Sequence, residues 1–162
     1  MKGSPPTTDL AGSDAPLVVL HCQQVWRQPG DGSCLFHSLA KFTTPTSTAA
    51  RERVRLMRHL VQPPDMRVAG NPGSDWVRYD SGLTLAQYTN SMATAGWGGG
   101  LELITFAHAE ARPVQVFERI LGRPGSYRCI AEFRAPHVGA ASPCTLVYQG
   151  RMHYDVLLPD EA

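Results

Sequence analysis

A single α+β domain is the fold class that this sequence predicts, and three observations lead to it. Its 162 residues, 43% of them hydrophobic, suffice for one core and fall short of two ordinary domains. Between about residues 34 and 111 the apolar positions recur at helical spacing, whereas from Val114 onward they cluster as β-branched and aromatic runs. Helices first and a strand cluster last is the order of an α+β domain rather than of alternating βαβ units.

Each element follows in turn. Residues 1–16 are rich in Ser, Thr, Pro, Gly and Asp, cannot offset their own ordering entropy and are expected to form a flexible leader or linker, with the domain over 17–162. Order can begin at Leu17-Val18-Val19-Leu20, and Gln24 to Arg27 read as extended before a turn at Pro29-Gly30-Asp31-Gly32. Leu35, Phe36 and Leu39 suit a helix that starts near Cys34. A second helix is expected from about Thr48 to Gln62, stopped by Pro63-Pro64. Val54, Met57 and Val61 form its apolar stripe, Leu56 and Leu60 lie beside it, and Arg51, Arg55 and Arg58 occupy the other face. Residues 65–82 read as irregular, with a short helical turn at Trp76 and Tyr79. Thr84 and Gln87 have capping-box spacing, so a third helix runs from there toward Ala95 and ends at Gly96. A fourth takes Leu101, Ile104, Phe106, Ala107 and Ala111 and closes at Arg112-Pro113. Strands follow at Val114 to Phe117, Tyr127 to Phe133, Thr145 to Tyr148 and Met152 to Leu158, the last two joined through Gln149-Gly150-Arg151.

Composition excludes more than it identifies. Fifteen basic against 14 acidic residues create no overall field that recruits nucleic acid or an acidic membrane surface. The arginine face of the second helix lacks the interleaved aromatics of an RNA-binding surface and reads as solvated. Lys2 and Lys41 are the only lysines, a bias that codon composition explains. Cys22, Cys34, Cys129 and Cys144 are too scattered for a disulfide scaffold and form no CxxC pair, so reduced thiols in a cytosol-like compartment and no metal are expected. Neither a signal peptide nor a run of ~20 apolar residues is visible. The expectation is a soluble monomer with no nucleic-acid or membrane partner.

The segment Pro29-Gly30-Asp31-Gly32-Ser33-Cys34-Leu35-Phe36 carries the chemistry. A glycine-bearing turn that delivers a cysteine to a helix start lowers the thiol pKa and aims backbone N–H groups at a developing oxyanion. A lone cysteine is more often a buried structural residue, so Cys34 needs a base. Six histidines compete, and His153 stands out because Asp155, two residues along a strand, points to the same side and can accept an imidazole N–H. Taken alone, such a triplet is more often an exposed pair.

Asp31-Gly32-Ser33-Cys34-Leu35-Phe36 resembles the D-G-N-C-L-F signature of the ovarian-tumour (OTU) family of cysteine proteases, with Ser33 at the Asn position. Trp97-Gly98-Gly99 followed by Glu102-Leu103 is similar to the family's W-G-G-x-x-E-L segment, and Met152-His153-Tyr154-Asp155 to its C-terminal H-Y-D/N block. The three motifs stand in the family's order. The resemblance implies a papain-like α+β fold with a central sheet packed between helices. It makes Cys34 the nucleophile, His153 the general base and Asp155 the residue that orients the imidazole. Asp31 holds the turn, and the backbone N–H groups of Asp31, Gly32, Ser33 and Cys34 supply the oxyanion hole, although some relatives recruit a different third residue.

The implied activity is thiol-dependent hydrolysis of isopeptide bonds at the C-terminus of ubiquitin or a ubiquitin-like modifier, with no cofactor and no metal. Such tails end in two glycines, so Trp97, Gly98 and Gly99 are candidates for a narrow substrate channel. The structural alternative is a tight turn with Trp97 filling the core. Glu102 reads as a hydrogen-bonding residue of its motif rather than a catalytic acid. His59 and His108 read as helix-surface residues, and His137 has no assigned role. Two other functions remain open: a silent module that binds ubiquitin without cutting it, which the intact Cys34, His153 and Asp155 set disfavours, and a protease that processes its own polyprotein. Cytoplasmic location is expected, in a host cytosol if the protein is a viral or bacterial effector.

Overall fold

The computed structural model describes residues 19–21, 24–62, 66–136, 141–150 and 152–158. Residues 1–16, Cys22, Pro63, Pro64, His137 and Arg151 lie outside them. Strands β1 (Val19–His21) and β2 (Gln24–Trp26) come first, then helices α1 (Cys34–Ala40) and α2 (Ala49–Val61). A small hairpin of β3 (Arg67–Val68) and β4 (Asn71–Pro72) leads into α3 (Gly73–Ser81), α4 (Leu85–Met92) and α5 (Gly100–Glu110). The chain then forms β5 (Val114–Arg119), β6 (Ser126–Phe133), β7 (Cys144–Gln149) and β8 (His153–Leu158).

The main sheet has six strands in the order β1-β6-β5-β7-β8-β2. Its four central strands are the C-terminal cluster read from the sequence, and the early strands β1 and β2 take the two edges by antiparallel pairing with β6 and β8. β5 and β7 run parallel, and the remaining neighbours are antiparallel. The helices pack on one face, where Phe36, Leu39, Leu56, Phe106 and Leu146 are fully buried with Val114, Val116 and Val156. The second cluster, Phe117, Tyr127, Val147 and Leu157, is built among the described residues from strands.

Three local expectations are corrected. On α2 the inward positions are Ala49, Glu52, Arg53, Leu56, Met57 and Leu60, while Val54 and Val61 are exposed. The helix touches α1, α4 and α5, and two charged residues sit inside because Glu52 receives donors from Ser47 and Arg55 while Arg53 reaches carbonyl acceptors. Within the expected irregular stretch, residues 66–82 are regular. Gly70, at φ +80°, makes the β3–β4 turn, Gly73 N–H donates to the Met66 carbonyl, and Gly82, at φ +72°, closes a nine-residue α3 in the left-handed conformation. Helix α4 starts with the expected capping box at Thr84 and Gln87 but ends at Met92, short of Ala95. Among the described residues no helix is long and apolar enough to cross a membrane.

Candidate active site

Cys34 is the first residue of α1, and the turn before it is built from its own sequence. Gly32 sits at φ +82°, a conformation that L side chains rarely adopt. Asp31 Oδ1 accepts the Ser33 N–H at 3.0 Å, closing the turn, and the Ser33 carbonyl accepts His37 N–H at 2.9 Å as the first helical bond. Ser38 Oγ donates to the Cys34 carbonyl at 2.8 Å and to the Tyr154 carbonyl at 3.2 Å, which ties α1 to β8. The Cys34 thiol is 5% exposed and points at the carbonyl of Met152, with Sγ to O 3.9 Å. The candidate nucleophile therefore lies against the peptide that immediately precedes the candidate base, His153.

The β7–β8 hairpin presents the base. Gln149 pairs with His153 across the hairpin, and Gly150 turns it at φ +61°. Tyr154 and Val156 pack into the helical core, and by strand alternation His153 and Asp155 share the opposite side. His153 Nε2–H donates to Asp155 Oδ1 at 2.7 Å, which leaves Nδ1 as the nitrogen able to take a thiol proton. Asp155 is 4% exposed and held from two further directions: Gln28 N–H donates to Oδ1 at 2.7 Å and Gln149 Nε2 to Oδ2 at 3.3 Å.

Asp31 is exposed and bonds elsewhere. Its Oδ2 accepts from His37 Nε2 at 3.0 Å, and this bond, with that from Ser33 N–H, holds its carboxyl below the ordinary carboxylate value. Asp31 thus closes the nucleophile's turn while Asp155 contacts the imidazole. Ser33 N–H is spent on Asp31, and Asp31 N–H leans on its own carboxylate. Gly32 and Cys34 remain as the turn's other N–H groups.

The glycine loop ahead of α5 divides its roles. Trp97 is 57% exposed, so it does not fill the core. A Cβ on Gly98 would lie 2.6 Å from Leu35 Cδ2 and 3.1 Å from Phe36 Cε2, so glycine lets the loop press onto α1. At Gly99 a Cβ would meet open space, and the N–H instead caps α5 by donating to Glu102 Oε1 at 2.9 Å. Glu102 is buried, receives the Tyr88 O–H at 2.6 Å, and burial pushes its carboxyl up to about 7.

The other chemical candidates sit apart. His59 and His108 face each other with ring centroids 6.5 Å apart, and burial lowers the His59 pKa. Cys129 is half-buried, and burial pushes the Cys144 thiol up to about 11. No group of three or more His, Cys, Asp or Glu among the described residues is placed to hold a metal ion. Sequence reasoning passed over Gln28, Gln149 and Arg53. Gln28 acts through its backbone and carries no side-chain signal. Arg53 was visible as a charge within the buried register of α2 with Ala49, Leu56 and Leu60.

No protein-family model matches the chain. It is similar to the ovarian tumour domain-containing deubiquitinating enzyme 4 of Arabidopsis thaliana, 29% identical over 140 residues that cover 83% of this chain and 43% of that protein. The chain thus spans less than half the length of this relative. Among solved structures it resembles the Hazara virus OTU bound to ubiquitin, with TM-score 0.64 and 20% identity over 86% of this chain and 82% of that one. The viral OTU domain protease of Taggert virus gives TM-score 0.62 at 18% identity, over 90% and 87%. An OTU deubiquitinase of Wolbachia pipientis bound to ubiquitin gives 0.55 at 17%, over 84% and 95%.

Proposed function

We propose that this chain, whose fold is that of the ovarian-tumour domain, is a cysteine isopeptidase that removes ubiquitin or a ubiquitin-like modifier from lysine side chains. One observation carries the reading. His153 is bonded to Asp155 through Nε2 while Cys34 rests against the peptide that precedes it, so the second ring nitrogen is free for the thiol. The likenesses support it from outside, since the Arabidopsis relative is named a deubiquitinating enzyme and two OTU neighbours were solved with ubiquitin.

In this reading Nδ1 takes the Cys34 proton and the thiolate attacks the carbonyl carbon of the modifier's terminal glycine. The oxyanion is received by the N–H groups of Gly32 and Cys34, because the Ser33 N–H is committed to Asp31. His153 then protonates the departing lysine amine, and water hydrolyses the thioester with His153 as base. The buried Asp155 carboxylate holds the imidazole and stabilises its protonated form. Trp97 supplies an exposed aromatic wall beside Gly32, its Nε1 3.9 Å from where a Cβ on Gly32 would stand, and Gly99 leaves open space for a Gly-Gly tail. Gly98 serves the loop's packing.

A monomer acting in a reducing compartment such as the cytosol suits an enzyme that works through a free thiol and whose Cys34, Cys129 and Cys144 are all unpaired. The test is a panel of ubiquitin and ubiquitin-like proteins carrying C-terminal electrophiles. An adduct on Cys34 with one or more of them is expected. Labelling of Cys34 by iodoacetamide but by none of the panel would remove the proposed substrate class.

A further inference from the structure

Arg53 is a buried cation whose acceptors belong to two segments, the turn just before Cys34 and residues 92–96. It projects from the inward face of α2 and is 4% exposed. Its Nη2 donates to the Gly32 carbonyl at 3.2 Å, to Ser33 Oγ at 2.9 Å and to the Gly96 carbonyl at 2.7 Å. Nη1 donates to the Met92 carbonyl at 3.0 Å, and the guanidinium lies 4.2 Å from the centroid of the Phe36 ring. Taking a guanidinium out of water is costly, and the acceptors at Gly32, Ser33, Met92 and Gly96 offset that cost here. A planar fork that reaches several carbonyls at once is what an arginine adds here and a lysine cannot.

The bond to Gly32 has a stereochemical consequence. The Gly32 carbonyl and the Ser33 N–H belong to one planar peptide unit, and the two groups point in opposite directions. Arg53 takes the carbonyl and Asp31 takes the N–H, so this peptide is held from both ends. The next peptide is held too, since the Ser33 carbonyl accepts from His37 N–H, and this aims the Cys34 N–H out of the helix start. Gly32 has no Cβ and sits at φ +82°, so without the clamp its peptide is free to rotate and turn a carbonyl toward the thiol. The bond to Gly96 fixes the start of the loop that carries Trp97 over Gly32.

We infer that Arg53 is a positioning residue for the oxyanion turn: by clamping the Gly32 carbonyl and the Gly96 carbonyl it keeps the N–H donors of the turn in register with Cys34 and with the Trp97 loop. This rests on the isopeptidase reading above. The clamp acts on the tetrahedral step and not on the thiolate, which gives a readout that loss of folding alone does not.

The experiment compares wild type with Arg53→Lys, Arg53→Met and Ser33→Ala. Two rates are read: kcat and KM on ubiquitin–aminomethylcoumarin, and alkylation of Cys34 by iodoacetamide across pH. Alkylation displaces iodide at a saturated carbon and develops no oxyanion, so it reports the thiolate only. Arg53→Lys and Arg53→Met are expected to lower kcat by ~10-fold to 100-fold, the size of a lost oxyanion donor or less. KM should stay within about threefold, and the alkylation rate and its pH midpoint should be unchanged. Ser33→Ala removes only the hydroxyl acceptor, leaves Arg53 buried and serves if the Arg53 variants do not fold, with a fall in kcat of ~3-fold to 10-fold expected. Wild-type kcat in a folded Arg53→Met, or alkylation falling in step with kcat, overturns the inference. A wild type that is alkylated but cuts no modifier overturns the isopeptidase reading instead. The clamp is then read from binding of a short Gly-Gly peptide aldehyde, whose adduct with Cys34 puts an oxyanion in the same turn. Equal affinity of wild type and Arg53→Met for the aldehyde, or no binding by either, overturns the inference.

Discussion

Replacing Asp155 by alanine perturbs two things that the structure allows to be separated. The carboxylate is 4% exposed and receives three donors: His153 Nε2, Gln28 N–H and Gln149 Nε2. Removing it strands the Gln28 N–H in a buried position, at a cost of ~1 to 3 kcal/mol in stability, which for a domain of this size lowers Tm by roughly 2 to 10 °C. It also frees the imidazole to rotate and takes away the charge that stabilises its protonated form, so kcat/KM is expected to fall by ~10-fold to 100-fold, or about 1.4 to 2.7 kcal/mol of transition-state stabilisation. Asp155→Asn keeps an oxygen for Gln28 N–H or for the imidazole, so both losses should be smaller. The assay is kcat/KM on a fluorogenic ubiquitin substrate from about pH 5 to about pH 9, with thermal unfolding in parallel. Asp31→Ala is the control, because Asp31 bonds to His37 and Ser33 rather than to His153. It should lower the rate through the turn. If Asp155→Ala left the rate unchanged, Asp155 would be a bystander and the reasoning from the 2.7 Å contact would fail.

Other expectations are more direct. Cys34→Ala should abolish turnover and electrophile labelling while a fluorescent ubiquitin still binds, and labelling at Cys129 or Cys144 in that variant would move the nucleophile. Gly98→Ala places a Cβ 2.6 Å from the buried Leu35 Cδ2, so unfolding should show a loss of ~1 to 3 kcal/mol from overpacking; an unaffected Tm would mean that the loop does not press on α1. Glu102 has its carboxyl pushed up from 4.5 to about 7 by burial, so the folded state binds the proton more tightly. Its contribution to stability is full below about pH 4.5 and is lost as pH rises through 7, by at most ~3 kcal/mol, because the hydrogen bonds from Tyr88 O–H and Gly99 N–H oppose the burial effect. Glu102→Gln should flatten the fall in Tm between about pH 5 and about pH 8, and an unchanged slope would place the titration elsewhere.

The candidate catalytic residues were legible because each stands in a short local motif, and the resemblance of three such motifs to one family joined them. A glycine turn before a cysteine and a His-x-Asp triplet in a strand are patterns of a few residues, and the structure adds only their proximity, through Cys34 and the Met152 carbonyl. Helices α1, α4 and α5 and strands β5 to β8 were legible for the same reason, since capping boxes, apolar spacing and β-branched runs are local signals. Residues 65–82 misled because glycine and proline mark both irregular chain and the ends of short regular elements. Gly70, Gly73 and Gly82 are a hairpin turn, a helix start and a helix cap, and single-sequence reading cannot tell the two uses apart when the elements are as short as two residues.

Arg53 was missed for a different reason. A charge in an arginine-rich helix reads as solvated by default, and Arg51, Arg55 and Arg58 around it made that reading natural. Val54 and Val61 then drew the apolar stripe toward what is in fact the outer face. The correct stripe, Ala49, Leu56 and Leu60, has Arg53 in the middle of it at i+4 from Ala49 and i−3 from Leu56. A cation on an inward stripe must find acceptors, and helix interiors offer none, so the acceptors have to be loop carbonyls or the free carbonyls at a helix end, as at Met92. In this chain the glycine-bearing loops that press on α1 are the turn at Gly32 and the segment from Gly96 to Gly99, which are two of the three motifs. The position of a buried arginine relative to a helix stripe is therefore a sequence-level signal for what holds an oxyanion turn in place, and it becomes readable only when the stripe is drawn through the polar residue instead of around it.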